Sequence, residues 1–93
     1  MRPVLVTTEH RGVFFGYVED ESTAPEKILL TQARMCVSWS GSIKGVLGLA
    51  VTGPNKDCRI GPPTPDATLW KLTGIFSCTE EATQAWEKAP WIS

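Results

Sequence analysis

The sequence predicts an α+β domain, a small and mostly antiparallel five-stranded sheet or half-barrel followed by one C-terminal helix. Three observations carry this. Short runs rich in Val, Leu, Phe and Thr recur between turn-forming residues, as in PVLVTT and VFFGYV. Between Trp39 and Pro65 the chain places five of its eight glycines and four of its seven prolines, a density that shapes backbone rather than filling volume. Only the last stretch, CTEEATQAWEKAPW, changes to helical spacing.

Taken in order, Pro3–Thr8 reads as the first strand and Val13–Glu19 as the second, with Glu9-His10-Arg11-Gly12 as the hairpin turn. The second strand sends Val13, Phe15 and Tyr17 to one face and Phe14, Gly16 and Val18 to the other, so both faces are expected to be covered. Asp20–Glu26 is acidic, contains Pro25 and reads as an exposed loop. Ile28–Trp39 reads as a long strand with Leu29, Ala33, Met35, Val37 and Trp39 on the core face. Gln32, Arg34, Cys36 and Ser38 share the other face, where Arg34 is free to reach a ligand or a surface carboxylate.

Ser40-Gly41-Ser42 supplies a turn, and Val46–Thr52 is expected to return as a glycine-containing strand, bent or bulged at Gly45 and Gly48. The loop Thr52–Asp66 follows, stiffened by prolines. Leu69–Ser77 is the last strand, with Trp70, Leu72, Gly74 and Phe76 on one face and Leu69, Lys71, Thr73 and Ile75 on the other. The helix is capped by Thr79 or a neighbour, carries Glu80 and Glu81 in its first turn and stops at Pro90.

Length and charge bound the function. Ninety-three residues make a single domain, 1–93. A chain of this size buries roughly 60 to 65 % of its unfolded surface, a real but small core that oligomerisation would reinforce. The four tryptophans serve that core or a subunit interface. A net charge of -1 supplies no global field for bulk nucleic acid or an anionic membrane. No run approaches the roughly 20 apolar residues that span a bilayer, and none reads as a signal peptide. Cys36, Cys58 and Cys78 are odd in number and widely spaced, which suits a reducing cytoplasm better than a disulfide framework or a zinc site.

Catalytic material is thin. His10, the sole histidine, lies in a predicted turn, and Cys58, between Lys56 and Arg59, is the one hint of a reactive thiol. No enzyme activity and no cofactor or metal are expected. The loop GPNKDCRIGPP suits binding better. Lys56 and Arg59 sit beside Asn55 on a proline-stiffened backbone, while Gly53 and Gly61 permit turns that turn N–H groups toward an anion. It lacks the order of a phosphate loop. A proline-rigidified crossover with solvated charges is the alternative.

The runs RGVFFGYVED, ARMCVSWSGSIKGVLGLAVTGPNKDCRIGPP and CTEEATQAWEKAPW resemble a family of small uncharacterised proteins encoded by bacteriophages and prophages. The similarity covers Arg11–Trp91 apart from the acidic loop Asp20–Lys27, and brings no catalytic residues with it. It implies a protein of the host bacterial cytoplasm that acts by binding, as a homo-oligomer. One expectation is counter-defence by sequestering a small anionic nucleotide-type signal. Its ligand set would be Arg34, Lys44, Lys56 and Arg59 for phosphate, Asn55 beside them, and Trp39 or Trp70 for the base. The other is a protein–protein inhibitor that docks on a host defence complex or enzyme through exposed aromatics such as Trp91 and an edge strand.

Overall fold

The computed structural model describes residues 2–9, 12–19, 27–39, 45–56 and 58–90. The expected α+β class is what these residues form, with six strands and two helices in place of five and one. Strands β1 (Arg2–Thr8), β2 (Val13–Val18) and β3 (Lys27–Ser38) make an antiparallel meander. Helix α1 (Gly45–Val51) and the two-residue β4 (Arg59–Ile60) follow, then β5 (Thr64–Trp70), β6 (Leu72–Ser77) and helix α2 (Glu80–Lys88). The predicted turn residues His10 and Arg11, the loop Asp20–Glu26, Lys44 and Trp91 lie outside the described residues.

The last predicted strand is two strands. Lys71 adopts a left-handed backbone, φ 55°, which breaks the run so that β5 pairs with β3 and β6 pairs with β1. Because β3-β2-β1 lie between these partners, a single residue joins the two edges of the sheet. The sheet is therefore rolled, although no hydrogen-bonded ladder between β5 and β6 closes it. Inside the roll, Val4, Val6, Val18, Ile28 and Leu30 are wholly buried, and Leu69 packs with them. Gly16 is required here. A Cβ on it would stand 2.9 Å from the Leu30 Cβ, inside any tolerable contact.

The break at Lys71 also divides a predicted face, since Leu72 packs with the cluster that holds Leu69 while Trp70 is 59 % exposed. A second break occurs in β3. Gln32 has φ 51° and is the extra residue of a bulge opposite β2, so the alternation resets there. Ile28 and Leu30 face the roll before the bulge, Ala33 faces it after, and Arg34 and Cys36 turn to the opposite, helix-covered side. The predicted core face of this strand is thereby overturned except at Ala33: Leu29, Met35, Val37 and Trp39 are exposed, whereas Arg34 is 5 % exposed.

The segment predicted as strand Val46–Thr52 is helix α1. Val46, Leu49 and Ala50 have helical spacing and pack on Leu5 and Phe15 of the sheet together with α2. A helix of seven residues is too short to persist alone. Its last carbonyls all find donors: Gly48 accepts from Thr52 N at 2.8 Å, Leu49 from Trp86 Nε1 at 3.1 Å, Ala50 from Thr79 N at 3.0 Å, and Val51 from Thr79 Oγ1. Thr79 also caps α2, accepting from Ala82 N at 3.0 Å, as its position before Glu80 predicts.

Gly53 ends α1 in the left-handed region, φ 79°, with Pro54 after it. A Cβ there would come within 2.6 Å of the Ala85 Cβ and 3.0 Å of the Ala82 carbonyl. Gly53→Ala is therefore expected to combine left-handed strain with overpacking between the helices and to cost about 2–4 kcal/mol in urea unfolding. A cost under about 0.5 kcal/mol would show that α1 does not dock on α2 in this way.

Candidate functional site

The second face of the sheet holds a cavity of about 220 Å³ beside the end of α2. Phe15 and Tyr17 come from β2, Gln32 and Arg34 from β3, Pro63 from the turn before β5, and Glu87 and Ala89 from α2 and its C-cap. Phe15 stacks on the fully buried Trp86, centroids 5.2 Å apart and planes 5° apart, and meets Tyr17 edge-on at 5.4 Å. The aromatic wall is thus held from behind by the core.

Arg34 is the chemically unusual group. Its Nε donates to the Gly61 carbonyl at 3.0 Å and its Nη1 to the Trp86 carbonyl at 2.7 Å, while the buried Nη2 has no partner. Trp86 lies in the last turn of α2, where the helix dipole is negative and its carbonyl also accepts from the C-cap Ala89 N at 3.4 Å. The guanidinium caps that helix. Burial lowers its pKa from the ordinary value, yet arginine remains charged at any physiological pH. The expectation of an arginine free to meet a surface carboxylate is corrected: the bulge at Gln32 turns the side chain into the protein, onto backbone oxygens.

The cavity's carboxylate is engaged elsewhere. Glu87 Oε2 accepts from Tyr17 Oη at 2.7 Å. Burial, then the hydrogen bond to Glu87 and its charge, push the Tyr17 phenol from 10.0 up to about 12. A raised pKa stabilises the fold below pH 10, and that contribution is lost as the pH rises through about 12, because the unfolded chain releases the proton first. The chain has one tyrosine, so ultraviolet difference titration reads this group alone. A midpoint near 12 is expected, moving back toward 10 in Glu87→Gln; a midpoint at 10 in the unmodified protein would remove the contact.

The other described residues expected to bind a ligand do not converge on this cavity. Arg59 pairs with Ser38 at one end of the twelve-residue β3, and Trp39 follows that end, 37 % exposed. Trp70 pairs with Lys27 at the other end, with the Lys27 Nζ 5.2 Å from its ring centroid. Asn55 and Lys56 are exposed in the segment after α1, where Asn55 Oδ1 accepts from the Cys58 thiol at 3.6 Å. The stretch predicted as one loop, Thr52–Asp66, is interrupted by β4 and enters β5 at Thr64. Its prolines still matter. Gly61 N donates to Met35 O at 2.9 Å while Gly61 O holds Arg34, and Pro63 forms a wall of the cavity.

Sequence reasoning missed Gln32, Pro63 and Glu87 as cavity residues. The shared face of Phe15 and Tyr17 was readable by alternation; a bulge at Gln32 leaves no comparable signal. Cys58 and Cys36 are buried in the helix-side core, and burial pushes the Cys36 thiol up to about 12 and the half-buried Cys78 up to about 11. Cys36 and Cys78, held so, are protonated and weakly nucleophilic. Among the described residues no group of three His, Cys, Asp or Glu side chains is placed to hold a metal, and no helix is long and apolar enough to cross a membrane.

A second, wider groove of about 370 Å³ opens on the other side of the 61–63 turn. It is lined mainly by Phe14, Met35, Val37, Pro62 and Ala67, with Asp66 at its polar end. A family model described as a domain of unknown function, DUF6948, matches residues 1–86. No curated protein and no solved structure matches the chain.

Proposed function

The chain belongs to the DUF6948 family, and on that footing we propose that it is a non-enzymatic binding protein that holds a small anionic, nucleotide-type ligand against Arg34. The observation that carries this reading is a guanidinium that is 5 % exposed, lines a cavity and keeps an unpartnered Nη2. Buried polar atoms are rarely left without partners, and an arginine offers planar recognition of acceptor groups. The resemblance to phage and prophage proteins supports a counter-defence role in the host bacterial cytoplasm, in which withdrawal of a nucleotide signal needs binding but no turnover. A homo-oligomer is part of the proposal, since a cavity of this size would gain ligand contacts from a second subunit.

Native mass spectrometry of the purified protein, alone and with linear and cyclic nucleotides, tests both parts. A fixed stoichiometry of bound nucleotide is expected. Arg34→Lys, confirmed as folded by circular dichroism, is expected to weaken binding by about 10-fold or more, because an ammonium cannot reproduce the fork. Lys56→Ala with Arg59→Ala is expected to stay within about twofold, as neither residue lines the cavity. Unchanged affinity in Arg34→Lys overturns the reading.

The apolar groove favours a second reading, a protein–protein inhibitor of a host defence complex or enzyme. Met35, Val37 and Trp39 are 41 %, 62 % and 37 % exposed along one strand end. Large apolar side chains grouped on a surface commonly mark docking sites. This reading expects no bound nucleotide and a stoichiometric protein partner.

A further inference from the structure

The cavity is lined by two unlike charged groups, Arg34 and Glu87, and their chemistry constrains what enters. Arg34 has five N–H donors and spends one on Gly61 and one on Trp86, which leaves both hydrogens of Nη2 and one of Nη1. Glu87 spends Oε2 on the Tyr17 hydroxyl and retains acceptor capacity on the same carboxylate. The two charged groups line one cavity, yet Arg34 donates its hydrogen bonds to backbone carbonyls and not to Glu87.

A phosphate fits this arrangement poorly. It would meet one cation and one carboxylate in the same small space, and Lys56 and Arg59 are not on the lining. Volume points the same way. At about 220 Å³ the cavity is smaller than the roughly 300–1,000 Å³ of sites that enclose drug-sized ligands, so only part of a nucleotide enters.

We infer that the part that enters is the base and that the base is guanine; this rests on the reading of the cavity as a nucleotide-type site. Guanine carries two neighbouring acceptors, O6 and N7, which suit a guanidinium fork, and two neighbouring donors, N1–H and the N2 amine, which suit a carboxylate. Arg34 and Glu87 supply those two partners. Adenine does not segregate its groups in this way, because its N6 donor adjoins both N1 and N7 and opposes a guanidinium at either. Phe15 and Tyr17 add aromatic wall to the same cavity. The sugar and phosphate remain outside.

Isothermal titration calorimetry of the full chain with guanosine, guanosine monophosphate, adenosine, adenosine monophosphate and inorganic phosphate separates the possibilities. Guanosine and its monophosphate are expected to bind within about threefold of each other, with adenosine at least about 10-fold weaker and phosphate unable to compete. Glu87→Gln, with its melting temperature checked, is expected to lose about 10-fold or more of guanosine affinity and to leave adenosine unchanged. Equal binding of the two monophosphates, or binding that requires the phosphate, overturns the guanine assignment while leaving Arg34 as an anion site. Absence of binding by every nucleoside and nucleotide overturns both.

Discussion

Trp86→Ala is expected to cost about 3–5 kcal/mol and to leave the domain largely unfolded at 37 °C. Trp86 is wholly buried, stacks on Phe15 at 5.2 Å and donates its indole N–H to the Leu49 carbonyl at 3.1 Å. It therefore joins α2, the sheet and α1 at one point. Its loss would open a cavity on the sheet's helix side and remove a donor from the end of α1, whose seven residues have little stability of their own. Trp86→Phe separates the two effects. It keeps most of the ring and loses the N–H, and a cost of about 1–2 kcal/mol is expected, with helical circular dichroism falling more than the sheet signal. Chemical denaturation of both variants measures these numbers. A wild-type-like midpoint for Trp86→Ala would show that α2 is not required to cover the sheet.

Arg34→Met carries the second large effect, and its sign decides how the buried charge is used. Loss of the guanidinium leaves the Gly61 carbonyl without this donor, at about 1–3 kcal/mol where water cannot reach it, and leaves the Trp86 carbonyl with the longer 3.4 Å bond from Ala89 N. Against this, the variant no longer buries a charge with an unsatisfied Nη2. A methionine of similar length fills the space. A net loss of about 1–3 kcal/mol is expected, together with loss of ligand binding. A variant more stable than the natural chain, with binding abolished, would show that the charge is kept for the ligand at the expense of the fold. A variant that loses stability and keeps binding would confine Arg34 to capping α2.

Both effects meet at the last turn of α2, which explains why the cavity and the core are hard to separate. Trp86 presents its side chain to α1 and its carbonyl to Arg34, and the next residue, Glu87, reaches Tyr17. Movement of this turn would shift the guanidinium, the carboxylate and the aromatic wall together. The prolines at positions 62 and 63 brace the opposite side, where the 61–63 turn is tied to β3 by Gly61.

Much of this architecture was legible locally. The β1–β2 pair follows from alternation on either side of a short turn, and α2 follows from Thr79, two glutamates and the spacing of Ala82 and Trp86. The end of α1 was also present in the run Val51-Thr52-Gly53-Pro54, a glycine just past a helix with proline behind it. Its glycines and alternating apolar residues imitate a strand, which is why strand was expected there. Alternation placed Phe15 and Tyr17 on one face, and the small and polar neighbours on its predicted face drew attention to Arg34.

The sequence by itself determined the α+β class, the first hairpin and the capped C-terminal helix, because each rests on contacts between residues close in the chain. Only the tertiary structure decided the bulge at Gln32, the break at Lys71 and the helical state of α1. The first two are left-handed residues at positions that carry no glycine, set by the need to bury Ile28, Leu30 and Leu69 inside a rolled sheet. The third depends on donors supplied by Thr79 and Trp86, some 28 to 37 residues away. The cavity inherits that dependence, since the bulge turns Arg34 inward and the distant helix brings Glu87 to it.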